Sequence, residues 1–354
     1  MKNNRRRYSD LYPSCFLKKA LFLTALFFLT NTVSATTYYA DVDRANDSGD
    51  GASWATAKKT LQAAVDLASD GDTVLVADGT YEAGGLWDAA EKGISSIVTI
   101  HKPITVRSVS GSEYTTISGL EDYTCVSMSS DSVLSGFRVQ DGDPGVDLSG
   151  GARMEHCVVS GNEGGGVEMQ DDAVVTECWI SGNSGQWSYG VEMQGSALLA
   201  DCVVSNNHVS GSGAGISMEG ACRVERCTVV HNSSSGFGGG IYMLGWAWAG
   251  GESGTVKDCH VNNNSAVNGG GVYIEGGGTL LNTFVHSNHA STNGGGVCLL
   301  ENGSVNACIV SNNSAIQGGG VNASQQFDFG EMHLEGCVVL DNRAAAGGRR
   351  RCVP

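Results

Sequence analysis

From residue 154 onward the apolar positions keep a fixed phase over eight successive units. Each unit starts at a small residue: Cys157, Cys178, Cys202, Cys227, Cys259, Thr283, Cys308 and Cys337. Two residues on stands Val or Ile, at 159, 180, 204, 229, 261, 285, 310 and 339. Three residues before the start lies another apolar side chain: Met154, Val175, Leu199, Val224, Val256, Leu280, Val305 and Leu334. Five residues after it comes Asn, at 162, 183, 207, 232, 264, 288, 313 and 342. A Gly-rich run follows, then an apolar-x-apolar triplet such as Val167-Glu168-Met169 or Val191-Glu192-Met193. The starts are 21, 24, 25, 32, 24, 25 and 29 residues apart. Such a repeat cannot bury its apolar face alone, so the units must stack as a solenoid.

Period-2 alternation within each short apolar segment predicts strands, with the start and the Val/Ile inward and the residue between them outward. Every inward residue two after the start is β-branched, as a wholly buried strand prefers. Three strands per coil joined by tight corners, each paired with its copy one coil away, give a parallel stack. The recurring Asn predicts a column of amides at one corner, each donating to the next. The Gly runs predict backbone at positive φ or sharply bent. Residues 72–343 hold about eleven such coils. Ahead of them, 36–71 reads as a cap: a short strand over 38–42, a turn at 47–51 and an amphipathic helix over 57–68, lying over the open end of the first coil. The fold class is therefore an all-β parallel β-helix with an N-terminal capping strand and helix.

Composition narrows the setting. Residues 1–35 combine Lys2, Arg5, Arg6, Arg7, Lys18 and Lys19 with an apolar run over 20–33 and Val33-Ser34-Ala35, the pattern of a cleaved secretory signal. The net charge is −16, and −21 once that segment, with six basic residues and one Asp, is removed. An exported acidic chain suits secretion or the cell surface of a bacterium, with no transmembrane span in the mature chain. It does not suit nucleic acid, whose phosphates need Lys and Arg. Twelve Cys in an exported chain would ordinarily mean disulfides. Here stacked side chains point the same way, which is poor bridge geometry, so a buried column of reduced thiols is expected. No Cys-x-x-Cys pair is present to hold a metal. After Gly347-Gly348 the repeat lapses, and 344–354 is an atypical tail. This predicts either further repeats beyond it or a partner covering the last coil.

The chain resembles the right-handed parallel β-helix superfamily, the pectate-lyase-like group. The stretch Gly71-Asp72-Thr73-Val74-x-Val76-x-x-Gly79-Thr80-Tyr81 is similar to the first coil of bacterial members. Gly269-Gly270-Gly271-Val272-Tyr273 and the Asn-rich corners are similar to repeats of the polymorphic outer-membrane proteins, an adhesin family. The likeness covers about 36–343 and implies the fold. Its activities are many, including lyases, hydrolases, adhesins and phage spikes, so function must come from the site.

Three features are candidates for chemistry. Asp147, Glu168 and Glu192 occupy one outward column, ~4.8 Å apart. They read as a solvated acidic face, or more sharply as a Ca2+ site of the kind the resemblance implies, or as an acid/base pair for glycoside cleavage. Two enlarged corners carry Trp246 with Trp248 and Phe327 with Phe329, rings suited to stacking on sugars or anchoring a partner. The outward residues of the Cys-bearing strand, Val158, Trp179, Val203, Thr228, His260, Phe284, Ile309 and Val338, form an apolar stripe that suggests a contact surface. A lyase would also need basic residues, yet only eight Lys or Arg fall in 102–343. The expected function is an adhesin-type surface protein binding a polysaccharide or a cell-surface protein. The alternative is a polysaccharide lyase or glycoside hydrolase.

Overall fold

The computed structural model describes residues 35–83, 86–88, 93–121, 123–185, 189–245, 252–324 and 332–345. The expected signal segment, Trp246, Trp248, Phe327, Phe329 and the tail from 346 lie outside the described residues.

The described chain is a parallel β-solenoid. Three long walls hold 12, 11 and 11 strands, and within each wall a strand pairs with its copy from the neighbouring coil. The first wall contains Arg153–Glu155, Val174–Thr176 and Leu198–Ala200, the second Val158–Ser160, Trp179–Ser181 and Val203–Ser205, the third Val167–Met169, Val191–Gly195 and Ile216–Gly220. Equal phase in the sequence is equal height in the wall: Val159 pairs Ile180, Ile180 pairs Val204 and Val204 pairs Val229. One antiparallel pairing interrupts the pattern, Leu86–Asp88 against Gly93–Ile100.

Three expectations need correction. A coil is not limited to three strands, because a seven-stranded fourth sheet runs along the corner between the second and third walls, from Ser184–Gly185 to Arg343–Ala344. These short strands, of two to five residues, follow directly on the Asn, so the Asn column holds them in register although they carry no apolar alternation. The turns number about nine rather than about eleven. The cap helix is Leu61–Leu67 rather than 57–68. Thr60 caps it by accepting from the Ala63 N–H at 3.3 Å, and Trp54–Thr56 forms a separate 3-10 turn. The cap strand Thr37–Ala40 pairs with Thr73–Val76 and extends the first wall.

The interior is dry and layered. Val159, Ile180, Val204, Val229, Val261, Val285 and Val310 are fully buried, as are their partners on the other walls. In the last coil Leu334 and Val339, inward by phase, are 48% and 45% exposed.

Two columns of polar groups run inside this apolar stack. Each Asn side chain from 162 to 313 donates through Nδ2 to the Oδ1 of the Asn one coil on, at 2.8–3.1 Å. The same Nδ2 donates to a strand carbonyl one coil back, as Asn207 does to Ile180. Each Oδ1 also accepts a backbone N–H, as Asn207 does from Asn183. All four hydrogen-bonding positions of the amide are used, which is what permits burial. The residue before each Asn turns the corner alone in the left-handed region: Gly161, Gly182, Asn206, His231, Asn263, Ser287, Asn312 and Asp341 all have φ between 53° and 71°. Glycine is required just before the third wall, because a Cβ on Gly271 would lie 2.8 Å from Asn288 Nδ2 and 2.6 Å from the Gly296 carbonyl oxygen.

The second column is the start position. The described cysteines are all free, and all are buried except the half-buried Cys337. The Cys178 thiol donates to the Thr176 carbonyl (3.1 Å) and accepts the Cys157 N–H (3.4 Å). Thr283 substitutes faithfully: its hydroxyl donates to Leu281 and accepts from the Cys259 N–H. Burial pushes the Cys125 thiol up to about 12 and Cys308 up to about 11, so both are neutral.

Replacing Asn207 by Ala removes the acceptor of two Asn183 N–H groups and a donor to Ile180 at once. The expected loss is about 3 kcal/mol or more, since each orphaned buried polar group costs about 1–3 kcal/mol; urea unfolding measures it. Ellman's reagent should leave the nine buried thiols unlabelled in the native protein and label them after denaturation.

Candidate functional site

The third wall brings the three carboxylates together as neighbours. Asp147 pairs with Glu168, and Glu168 with Glu192. The column continues below through Ser127 and above through Ser217, Tyr242, Tyr273 and Cys298. Each residue stands outward because its two strand neighbours, such as Val167 and Met169, are buried.

The carboxylates are half-buried. The partly covered strip they form, flanked by His101, Asp143 and Tyr189 from irregular connections, is the third-wall trough. Burial raises Asp147 above the ordinary carboxylate range, against the opposing effect of His101. One Asp147 oxygen, Oδ1, is buried without a hydrogen-bond partner. Burial first, then the charges of Glu192, Asp147 and Asp143, push Glu168 up to about 7. Gln194 Nε2 donates to Glu192 Oε1 at 3.0 Å. Burial and the Glu192 charge raise the Tyr189 phenol. At the lower end, His101 Nε2 and Ser127 Oγ are 3.4 Å apart.

Farther along, the same column is covered. Tyr273 and Cys298 face outward yet are 6% and 5% exposed. Phe237 stacks on Tyr273 with ring centroids 4.8 Å apart, and Tyr242 stacks on its other side at 5.7 Å. The Tyr242 hydroxyl donates to Glu275 Oε2 at 2.9 Å, and its burial raises the phenol further. This aromatic cluster closes one end of the trough and leaves the carboxylates as its open floor.

The expected calcium site falls on this column of Asp147, Glu168 and Glu192. Among the described residues no group of three or more His, Cys, Asp or Glu is arranged to hold a metal ion. The three carboxylates stand in a line up one wall, whereas a cation needs donors converging from several directions. A larger hollow of about 670 Å3 opens at the corner between the third and first walls, beside Asp171, Asp172, Ser196 and Glu252, and does not include the column. Sequence phase could find Tyr242 and Tyr273, which occupy the same slot as Glu192. It could not find His101, Asp143 or Tyr189, whose positions depend on how the connections fold back.

Stacked in-register coils, two buried polar columns and outward columns of differing chemistry define a right-handed parallel β-helix repeat protein. A family model for the right-handed β-helix region matches residues 189–348. The chain belongs to the family described as periplasmic copper-binding protein (NosD), whose model matches residues 65–248, just over half of its length. No curated protein matches it. Among solved structures it is similar to ORF18 of Geobacillus virus E2, with 14% identity and a TM-score of 0.54 over 87% of this chain and 63% of that one. It therefore spans less than two thirds of the viral protein, and the likeness is one of fold. Pectate lyase Pel9A aligns at 14% identity and a TM-score of 0.48, over 79% of its length. The A-module of Azotobacter vinelandii mannuronan C-5 epimerase AlgE6 aligns at 13% and 0.48, over 91%.

Glu168→Gln tests the electrostatics of the trough. A carboxyl whose folded pKa is raised from 4.5 to about 7 contributes stability at low pH that is lost as pH rises through that window. The variant should match the wild type at pH 4.5 and melt about 1–3 °C higher at pH 8, measured by calorimetry.

Proposed function

We propose that this protein is exported and acts as an adhesin-type binding protein that takes glycan in the third-wall trough. The observation that carries the reading is the continuous column Asp147, Glu168, Glu192, Ser217 and Tyr242, an open floor of hydrogen-bonding groups ending in an aromatic stack. Carboxyl and hydroxyl groups at strand spacing accept and donate to sugar hydroxyls, and exposed ring edges pack on sugar C–H faces. The same floor repels uronates, because a further negative charge would join carboxylates whose charges already push Glu168 up. Export is supported by the basic-then-apolar leader and by the periplasmic setting named in the family's description. Among the described residues no helix is long and apolar enough to cross a membrane.

Copper, also named in that description, finds no fitting donor set among the described residues. All eight histidines lie among these residues, and no cluster of three ligating His, Cys, Asp or Glu forms there. The sulfurs of the Cys column are buried, and those of Cys157 and Cys178 each already accept a backbone N–H and donate to a carbonyl.

One observation favours a hydrolytic reading as the second choice. Burial and neighbouring charges push Glu168 up to about 7, and a second carboxyl stands on the adjacent strand at the ~4.8 Å strand spacing, near the close separation of paired carboxyls in retaining glycosidases.

A panel of neutral, amino and uronic glycans separates the two. Calorimetric titration should show binding to neutral or amino glycans without release of reducing ends, weakened severalfold by Glu168→Ala together with Glu192→Ala. Reducing-end release abolished by Glu168→Gln establishes the hydrolase instead. Preference for a uronate polymer defeats the proposed reading.

A further inference from the structure

The second wall differs from the other two in one respect: over eight coils its outward side chains carry no Asp, Glu, Lys or Arg. One column is Val158, Trp179, Val203, Thr228, His260, Phe284, Ile309 and Val338. The column beside it is Ser160, Ser181, Ser205, Val230, Asn262, His286, Ser311 and Leu340. The chain has 37 Asp and Glu and 21 Lys and Arg, so sixteen consecutive outward positions without one are a marked departure. The charges gather instead at the adjoining corner, where they pair with one another. His156 Nδ1 lies 3.2 Å from Glu177, and Arg226 reaches Asp201 at 2.8 Å.

The face is open. Trp179 is 53% exposed, Ile309 41% and Val338 48%. Trp179 is held in place by its Nε1–H, which donates to Ser205 Oγ at 3.2 Å. His260 and Phe284 meet edge-on with centroids 6.0 Å apart, and His286 packs on Phe284 at 4.6 Å. Between His260, Asn282, Phe284, Ala307 and Ile309 the surface dips into a shallow hollow of about 430 Å3. At ~4.8 Å per coil the strip is about 34 Å long and straight.

We propose that this wall is a docking surface for an uncharged, extended polysaccharide. Charge selects the partner. A polyanion is repelled by the net charge of −16, and so is a second copy of this chain. A polycation would choose the acidic third wall. What the second wall offers is an apolar and aromatic column for ring faces, flanked in three of eight coils by an accessible Ser hydroxyl or Asn amide for sugar hydroxyls, at Ser160, Ser181 and Asn262. The strand spacing is close to the distance between successive rings of an extended β-linked glycan, so successive sugars can meet successive coils in register. This surface is separate from the third-wall trough, and neither reading depends on the other.

The experiment is a depletion assay of the full chain on microcrystalline cellulose and on chitin, with soluble polygalacturonate as the charged comparison. Binding to at least one uncharged polymer is expected, nearly unchanged between low salt and about 1 M salt because no charge is engaged. Trp179→Ala with Phe284→Ala should weaken it about tenfold or more, as loss of two ring contacts implies. Ser181→Glu, which puts a charge on the strip, should do the same, whereas Thr279→Glu on the first wall should not. Circular dichroism checks that the variants fold, which their exposed positions allow. Undiminished binding by the ring variants overturns the proposal. So does preference for polygalacturonate, failure to bind either uncharged polymer, or a self-association that the same variants abolish.

Discussion

The structure depends on one hydrogen-bonded column, the ladder of Asn amides from 162 to 342. A coil of this fold has little to hold it above its neighbour except strand pairing, and strand pairing alone tolerates slippage. The ladder removes that freedom. Each amide has a partner above, a partner below and a backbone carbonyl behind, so a coil shifted by one residue would bury four unsatisfied groups. The rest of the local chemistry follows. The residue before each Asn must turn in the left-handed region, and the residue opening the third wall must lack a Cβ where the next amide lies. The small thiol or hydroxyl at the start position ties the first corner to the strands on either side.

Locked register makes the outer surface a set of columns, and each wall has its own chemistry. The first wall carries scattered Arg, Glu and Lys whose partners are mostly near neighbours, such as Arg226 with Glu225 and Lys257 with Asp258. The second wall is free of formal charge over eight coils. The third wall stacks three carboxylates so closely that burial and the neighbouring charges push Glu168 up to about 7. Repetition thus amplifies whatever a single outward residue contributes. A lone Glu on a surface is solvated and silent, whereas three at strand spacing under partial cover make an electrostatically unusual floor.

The interior shows the complementary restraint. Sulfur from Cys and Met fills much of the core between 125 and 308, burial keeps the Cys125 and Cys308 thiols neutral, and those in the start column are bonded to backbone. Their interchange with Thr283 indicates a packing and hydrogen-bonding role, since a hydroxyl reproduces both contacts and none of the metal affinity. The ligand chemistry of this molecule therefore belongs to its outer columns.

Much of this was legible in the amino-acid order alone. Phase placed Val159, Ile180 and Val204 on one inner line and Asp147, Glu168 and Glu192 on one outer line, because a repeat with one conformation per unit converts sequence offset directly into position. The same logic exposed the Asn ladder and the thiol column. It failed where periodicity is absent. The fourth sheet is made of short strands with no apolar alternation, and the cap helix is shorter than its apolar pattern because Thr60 caps it late. Only the tertiary structure decided that His101, Asp143 and Tyr189 flank the carboxylates, that Phe237 covers Tyr273, and that the second wall is left open. Those outcomes depend on how irregular connections fold back over the walls, and side-chain burial and proton affinity are set by neighbours distant in the chain.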